Sequence, residues 1–200
     1  MSYTERASDG TRPGGIRFEE FGGELYNISN APPSADGRST RASVDIRTRV
    51  NGAGQLVAKL DYDMSARGLN MRYSGSISAM DASSFNEALV DLNGIKVSQG
   101  RLDTAWFNIN VARDSATGQV QLIYHDLKVS FLSKETGKVS LLDRLKGFVA
   151  NTVKLKSGNP SSNDKPPIVA DIAIRRGREV PLFGFLWISI REGLMTTLGL

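Results

Sequence analysis

The stretch from Leu92 to Ser133 constrains the fold more than any other part of the chain. Ala105, Phe107, Ile109 and Val111 alternate with polar residues, and Val120, Leu122 and Tyr124 do so again after Asp114-Ser115-Ala116-Thr117-Gly118. Alternation with a period of two is the pattern of a strand with one buried and one wet face. The small polar residues in between bond their own backbone, and the glycine after them takes φ > 0 without steric penalty. The pattern predicts one hairpin whose arms far exceed the usual strand of about 5–6 residues. Each arm carries an interruption: Gly100 in the first, and in the second the pair His125-Asp126, where the apolar phase passes from even positions to Leu127, Val129 and Phe131. A phase change of one residue marks a β-bulge, and bulges bend strands. The hairpin is therefore where a sheet is expected to curl.

The segments before it read as an antiparallel meander. Met1 to Gly15 is polar and aperiodic, which predicts a flexible leader over 1–15 ahead of a single domain over 16–200. Ile16 to Asn30 reads as strand, glycine bend at Gly22-Gly23, and strand again, with a loop to Ser39. Thr40 to Val50, Gln55 to Met64 and Leu69 to Ala79 alternate cleanly, and Asn51-Gly52 is a strong hairpin-turn signal. Asp81 to Leu92 changes to helical spacing behind a capping Asp81 or Ser83.

After the hairpin, Leu141, Leu142, Leu145, Phe148, Val149, Thr152 and Val153 form one stripe of a helix over Lys138 to Leu155. Lys156 to Pro167 reads as a flexible connection and Ile168 to Arg178 as a last strand. Pro181 opens a final helix with Phe183, Trp187, Ile190, Leu194 and Leu198 at helical spacing. The fold class is mainly β: a curved antiparallel sheet or groove of about six to seven strands, one short helix and two amphipathic helices late in the chain.

Several function classes are set aside on residue content. There is no cysteine, hence no disulfide framework, thiolate nucleophile or Cys-based zinc site. No phosphate-loop, nucleophile-elbow or zinc-protease motif occurs, and nothing calls for a cofactor. The net charge is +4, with Lys and Arg concentrated between Lys134 and Arg178. Such a zone suits an anionic lipid surface or nucleic acid, and a solvated face accounts for it as well. Nucleic-acid binding is disfavoured, because the nearby aromatics Phe148 and Trp187 belong to apolar stripes rather than to a basic surface. No stretch approaches the roughly 20 apolar residues of a membrane-spanning helix.

Individual candidates are few. His125, the only histidine, stands beside Asp126 and could act as a general base, yet the bulge explains that polar pair without chemistry. Asp61 and Asp63 share one side of a strand and could hold a hard cation weakly, but no third ligand stands nearby in the sequence and a wet strand face is the better explanation. The larger signal is a surplus of apolar sheet surface over helix to cover it. If the sheet curls, its inner face becomes a groove for an acyl chain, lined by Phe107, Ile109, Val111, Leu122 and Tyr124.

Four short segments bear a resemblance. Met80 to Leu89 (MDASSFNEAL), Ile95 to Asp103 (IKVSQGRLD), Tyr124 to Val129 (YHDLKV) and Phe185 to Leu194 (FLWISIREGL) together resemble the C-terminal region of AsmA-like envelope proteins of Gram-negative bacteria. The resemblance implies a periplasmic β-groove with an apolar inner face, inner-membrane anchorage in the longer protein, and a part in lipid transport and outer-membrane assembly. No functional residue carries over. The expectation is a non-enzymatic envelope module that binds acyl chains, with a lipid or membrane surface as partner. The alternative is a structural or assembly domain with a fully packed sheet, meeting an envelope protein through Pro181 to Leu200.

Overall fold

Alternating residues of successive strands pair into one nine-stranded antiparallel sheet in the computed structural model, which describes residues 2–6, 13–28, 41–64, 68–93, 95–132, 156–162 and 164–199. The strands are β1 (Ser2–Arg6), β2 (Pro13–Tyr26), β3 (Arg41–Val50), β4 (Gly54–Asp63), β5 (Asn70–Ile77), β6 (Met80–Asp81), β7 (Ile95–Ala112), β8 (Ser115–Phe131) and β9 (Val169–Arg175). The order is β1-β2-β3-β4-β5-β7-β8-β9, with β6 on β7, and β1 and β9 do not pair, so the sheet stays open. The meander and the long hairpin follow the sequence pattern, and the helix read over Lys138 to Leu155 lies outside the described residues. Two strands exceed the expected count. One is the short β6; the other is β1, which pairs Ser2–Arg6 with Pro13–Arg17 inside the stretch read as a leader.

One face of the sheet is apolar. Ala58, Met71, Tyr73, Phe107, Ile109, Val111, Ala116, Val120 and Ile172 form its main cluster. The opposite face carries Arg47, Lys59, Arg72, Asn108 and Gln119, as the period of two requires. At the centre the Phe107 ring lies over Gly75, where a Cβ would stand 2.6 Å from its tip. Tyr73 meets the same ring at 5.8 Å between centroids.

Both described helices lie on this inner face. The chain after β6 makes a 3-10 turn (Ala82–Phe85), with Asp81 accepting from the Ser83 amide at 2.7 Å, and runs into α1 (Asn86–Asn93). The second helix, α2 (Leu182–Leu198), starts after Pro181 and ends on Gly199, whose left-handed φ of 85° returns its N–H to Met195 and Thr196. Its most deeply buried stripe is not made of the large apolar residues at helical spacing. It is Phe185, Ser189, Gly193 and Thr197, one residue per turn. Small residues there let the helix axis approach β8 closely, and the Ser189 and Thr197 hydroxyls donate to Phe185 O and Leu194 O of the helix itself. Of the larger residues, Leu194 is partly buried against the main cluster and Trp187 against Ile16, Val50 and Ala88, while Phe183 stays 47 % exposed. Among the described residues no helix is long and apolar enough to cross a membrane.

Candidate functional site

The two arms of the hairpin change phase together. Gln99 pairs with Lys128 and Arg101 with His125, so Gly100 faces the extra residue of β8. Gly100 has φ 143° and Asp126 φ 54°, and a Cβ on Gly100 would lie 3.0 Å from the Leu127 backbone. The bulge turns His125 and Asp126 outward while Tyr124 before it and Leu127 and Val129 after it all face inward. The polar pair is thereby kept out of the apolar face. His125 bonds Asp103 across the strands at 2.9 Å rather than its neighbour Asp126, and both partners are exposed. Asp61 sits 3.7 Å from Lys59. Among the described residues no group of three or more His, Asp or Glu is placed to hold a metal ion.

On both sides of the bulge, away from the Arg113-Asp114 turn itself, the helices diverge from the sheet and leave an apolar cavity of about 210 Å³, partly open to solvent. The 3-10 turn and α1 contribute Ala82, Phe85, Ala88 and Leu89; β7 contributes Ile95, Val97, Leu102 and Ala105. Leu122, Tyr124, Leu127 and Val129 of β8 form the opposite wall, and Trp187, Arg191, Leu194, Met195 and Leu198 of α2 close the side. The cavity exists because α2 is tied to the sheet at its small stripe while α1 is held against β2 and β7. Its exposed surface is almost wholly apolar, although Tyr124 and Arg191 border it.

Three asparagines hold the walls in place. Asn51 accepts from the Arg17 amide and donates to Ser84 O, both at 2.8 Å, joining β2 to the 3-10 turn. Asn86 brackets the Val97 backbone with bonds of 2.9 and 2.7 Å, pinning α1 to β7. Asn159, fully buried, donates to Leu122 O and Ile168 O and accepts from the Ile168 amide. Its backbone also pairs with Tyr124. The connection read as flexible thus seals the edge of β8 where β9 no longer reaches. The signal available was one buried-type amide in a polar run, too little to separate a stitch from a loop. Tyr124 donates its hydroxyl to Lys156 O at 3.1 Å, and burial pushes the phenol up to about 12.

The five residues expected to line a groove divide between two environments. Leu122 and Tyr124 border the cavity. Phe107, Ile109 and Val111 lie in the packed core, where Phe185 of α2 covers the upper hairpin. Ile16, Phe85, Ala105 and Trp187 belong to the cavity's surroundings without having been singled out. Their role depends on which way two distant helices lie, and strand periodicity carries no such information. Comparison with known proteins returns nothing: no family model matches the chain, and no curated protein or solved structure matches it significantly.

Proposed function

We propose that this chain is a non-enzymatic module of the bacterial envelope that binds lipid acyl chains in the cavity between α1, α2 and the bulged part of the hairpin. The observation that supports the reading is a built, partly open space walled by apolar side chains from every surrounding element. Natural ligand sites are concave and mostly apolar, with few polar groups. An interior closed only for stability would pack such a space, since voids larger than a water molecule are few in proteins. The resemblance to AsmA-like C-terminal regions adds the setting: periplasmic, tied to the inner membrane in a longer protein, and engaged in lipid transport towards the outer membrane.

The test is a calorimetric titration of the purified chain with the neutral ligands hexanol, decanol and dodecanol. Saturable binding with a negative heat-capacity change, the mark of buried apolar surface, is expected for at least one. Leu89→Trp, which fills the space from α1, should abolish it and leave the circular dichroism unchanged. No saturable binding of any of them overturns the reading.

A second reading, an assembly module, has one observation in its favour. Phe21 and Leu25 are 53 % and 67 % exposed at the β2 flank of the open sheet. Paired replacement of both by serine would then change the oligomeric state, measured by light scattering.

A further inference from the structure

The large apolar side chains left exposed among the described residues are not scattered. Leu25, Tyr26, Ile28, Tyr62, Leu182 and Phe183 gather at the end of the sheet that carries the Arg113-Asp114 turn, while Phe21, Val57 and Val169 lie elsewhere. The register places them. The row of paired residues from Tyr26 on β2 to Ala173 on β9 passes through Asn110 and Thr117, just short of that turn. Tyr62 lies one row nearer the end, Leu25 one row farther in, and Ile28 just past the end of β2. The start of α2 is tied to the same end. Arg176, directly after β9, donates its amide to Asp114 O at 2.6 Å and its side chain to Val180 O at 2.7 Å. Leu182 and Phe183 then form the first turn of the helix.

We propose that this end of the sheet docks on an anionic lipid bilayer, with Leu182 and Phe183 entering the headgroup boundary. Exposed apolar residues standing singly need no explanation, whereas a collection rimmed by polar groups marks a surface that meets another. The rim here is basic: Arg113, Arg175, Arg176 and Arg178 stand against Asp114 and Glu179. These arginines are not empty sites, since Arg175 pairs with Asp114 at 3.5 Å while its side chain stays 80 % exposed. They contribute a surplus of positive charge at a surface, which draws it to anionic headgroups. The apolar residues contribute the second signal, burial at the acyl boundary, where tyrosines such as Tyr26 and Tyr62 are well suited. Tyr26 and Ile28 stand at the β2 margin, and Leu182 and Phe183 follow β9 at the other. That spread fits a broad surface better than the pocket of a protein partner. The cavity lies away from this end, from Ala105 and Leu122 to Ile95 and Val129. The inference gives the envelope reading a point of contact and does not require the cavity to be filled.

The test is co-flotation of the full chain with vesicles of phosphatidylcholine alone and of phosphatidylcholine mixed equally with phosphatidylglycerol. The mixed vesicles should bind the chain about tenfold more tightly than phosphatidylcholine alone, and the binding should weaken as salt is raised. Joint replacement Leu182→Ser and Phe183→Ser should lower it by about tenfold or more. Arg178→Gln should lower it about fivefold. Val57→Ser, at a residue 44 % exposed on the outer face, should leave it unchanged. Circular dichroism and decanol binding should match the wild type in every variant, so a failure here is distinct from a failure of the acyl reading. Equal binding to both vesicles, binding to neither, or a double variant that binds like the wild type overturns the proposal. A Val57→Ser loss equal to that of the double variant also overturns it. So does a change in light scattering in the double variant without vesicle binding, which would assign the face to a protein partner.

Discussion

Gly193 of α2 stands against Val120 of β8 so closely that a Cβ on the glycine would lie 2.4 Å from the valine Cβ. Neither neighbour is the flexible end of a side chain, so the contact sets the distance between helix and sheet.

Gly193→Ala is expected to destabilise the chain by about 1–3 kcal/mol, the usual penalty of overpacking, read from the urea midpoint. Gly184, on the same helix, is the control. A Cβ there would meet Pro181 at 3.5 Å, an ordinary contact. Gly184→Ala should therefore gain up to about 1 kcal/mol from helix propensity. Opposite signs at two glycines of one helix would confirm that close approach, and not propensity, governs position 193.

Asn159→Ala leaves the Leu122 and Ile168 carbonyls and the Ile168 amide without their partner. A loss of about 2–4 kcal/mol is expected, with faster amide exchange at Ile168. Asn159→Asp should be worse, because a carboxylate would face two carbonyl oxygens.

Substitutions along the hairpin should sort by whether they fall in the packed cluster or beside the cavity. Phe107→Ala, in the packed half, is expected to cost about 3–5 kcal/mol. Leu122→Ala, beside the cavity and only partly buried, should cost about 1–2 kcal/mol and shift the preference among the alcohols towards a longer chain. Chemical denaturation and calorimetry measure the two effects separately.

Burial pushes the phenols of Tyr73 and Tyr124 from 10.0 to about 12. Folded, each holds its proton more tightly than unfolded, so their contribution is complete below pH 10 and is lost as the pH rises from 10 towards 12. The unfolding midpoint should fall across that window while phenolate absorbance appears late. Tyr124→Phe should reduce the fall. Tyr26→Phe, at an exposed residue bonded to Glu24, should leave most of it.

Much of the sheet was legible because strands announce themselves locally. The Asn51-Gly52 turn was readable for the same reason: both residues take positive φ, 50° and 69°, and few residue pairs do so cheaply. The bulge was legible because a change of phase must be absorbed somewhere, and His125-Asp126 marked the place. Its pairing was not, since the partner of His125 is Asp103 on the other arm. The strand Ser2–Arg6 was missed because a short polar strand has no apolar face to alternate. In α2 the spacing of Trp187, Ile190 and Leu194 marks residues that do pack against the core clusters, but the deepest burial includes the small Ser189, Gly193 and Thr197, which no apolar pattern marks. The cavity was not legible for a related reason, being a product of helix placement rather than of any strand.

The hairpin gives its two inward stretches different tolerances. Beside the Arg113-Asp114 turn, each inward side chain is wedged among others, and a methyl gained or lost disturbs the whole cluster. From Ala105 and Leu122 across the bulge to Ile95 and Val129, the inward side chains border a space, and the same change alters mainly the shape and depth of what can enter. A lineage could therefore retune the contents of this domain by exchanging residues such as Leu122, Leu127 or Met195, at a smaller cost in stability than an exchange in the packed cluster would carry.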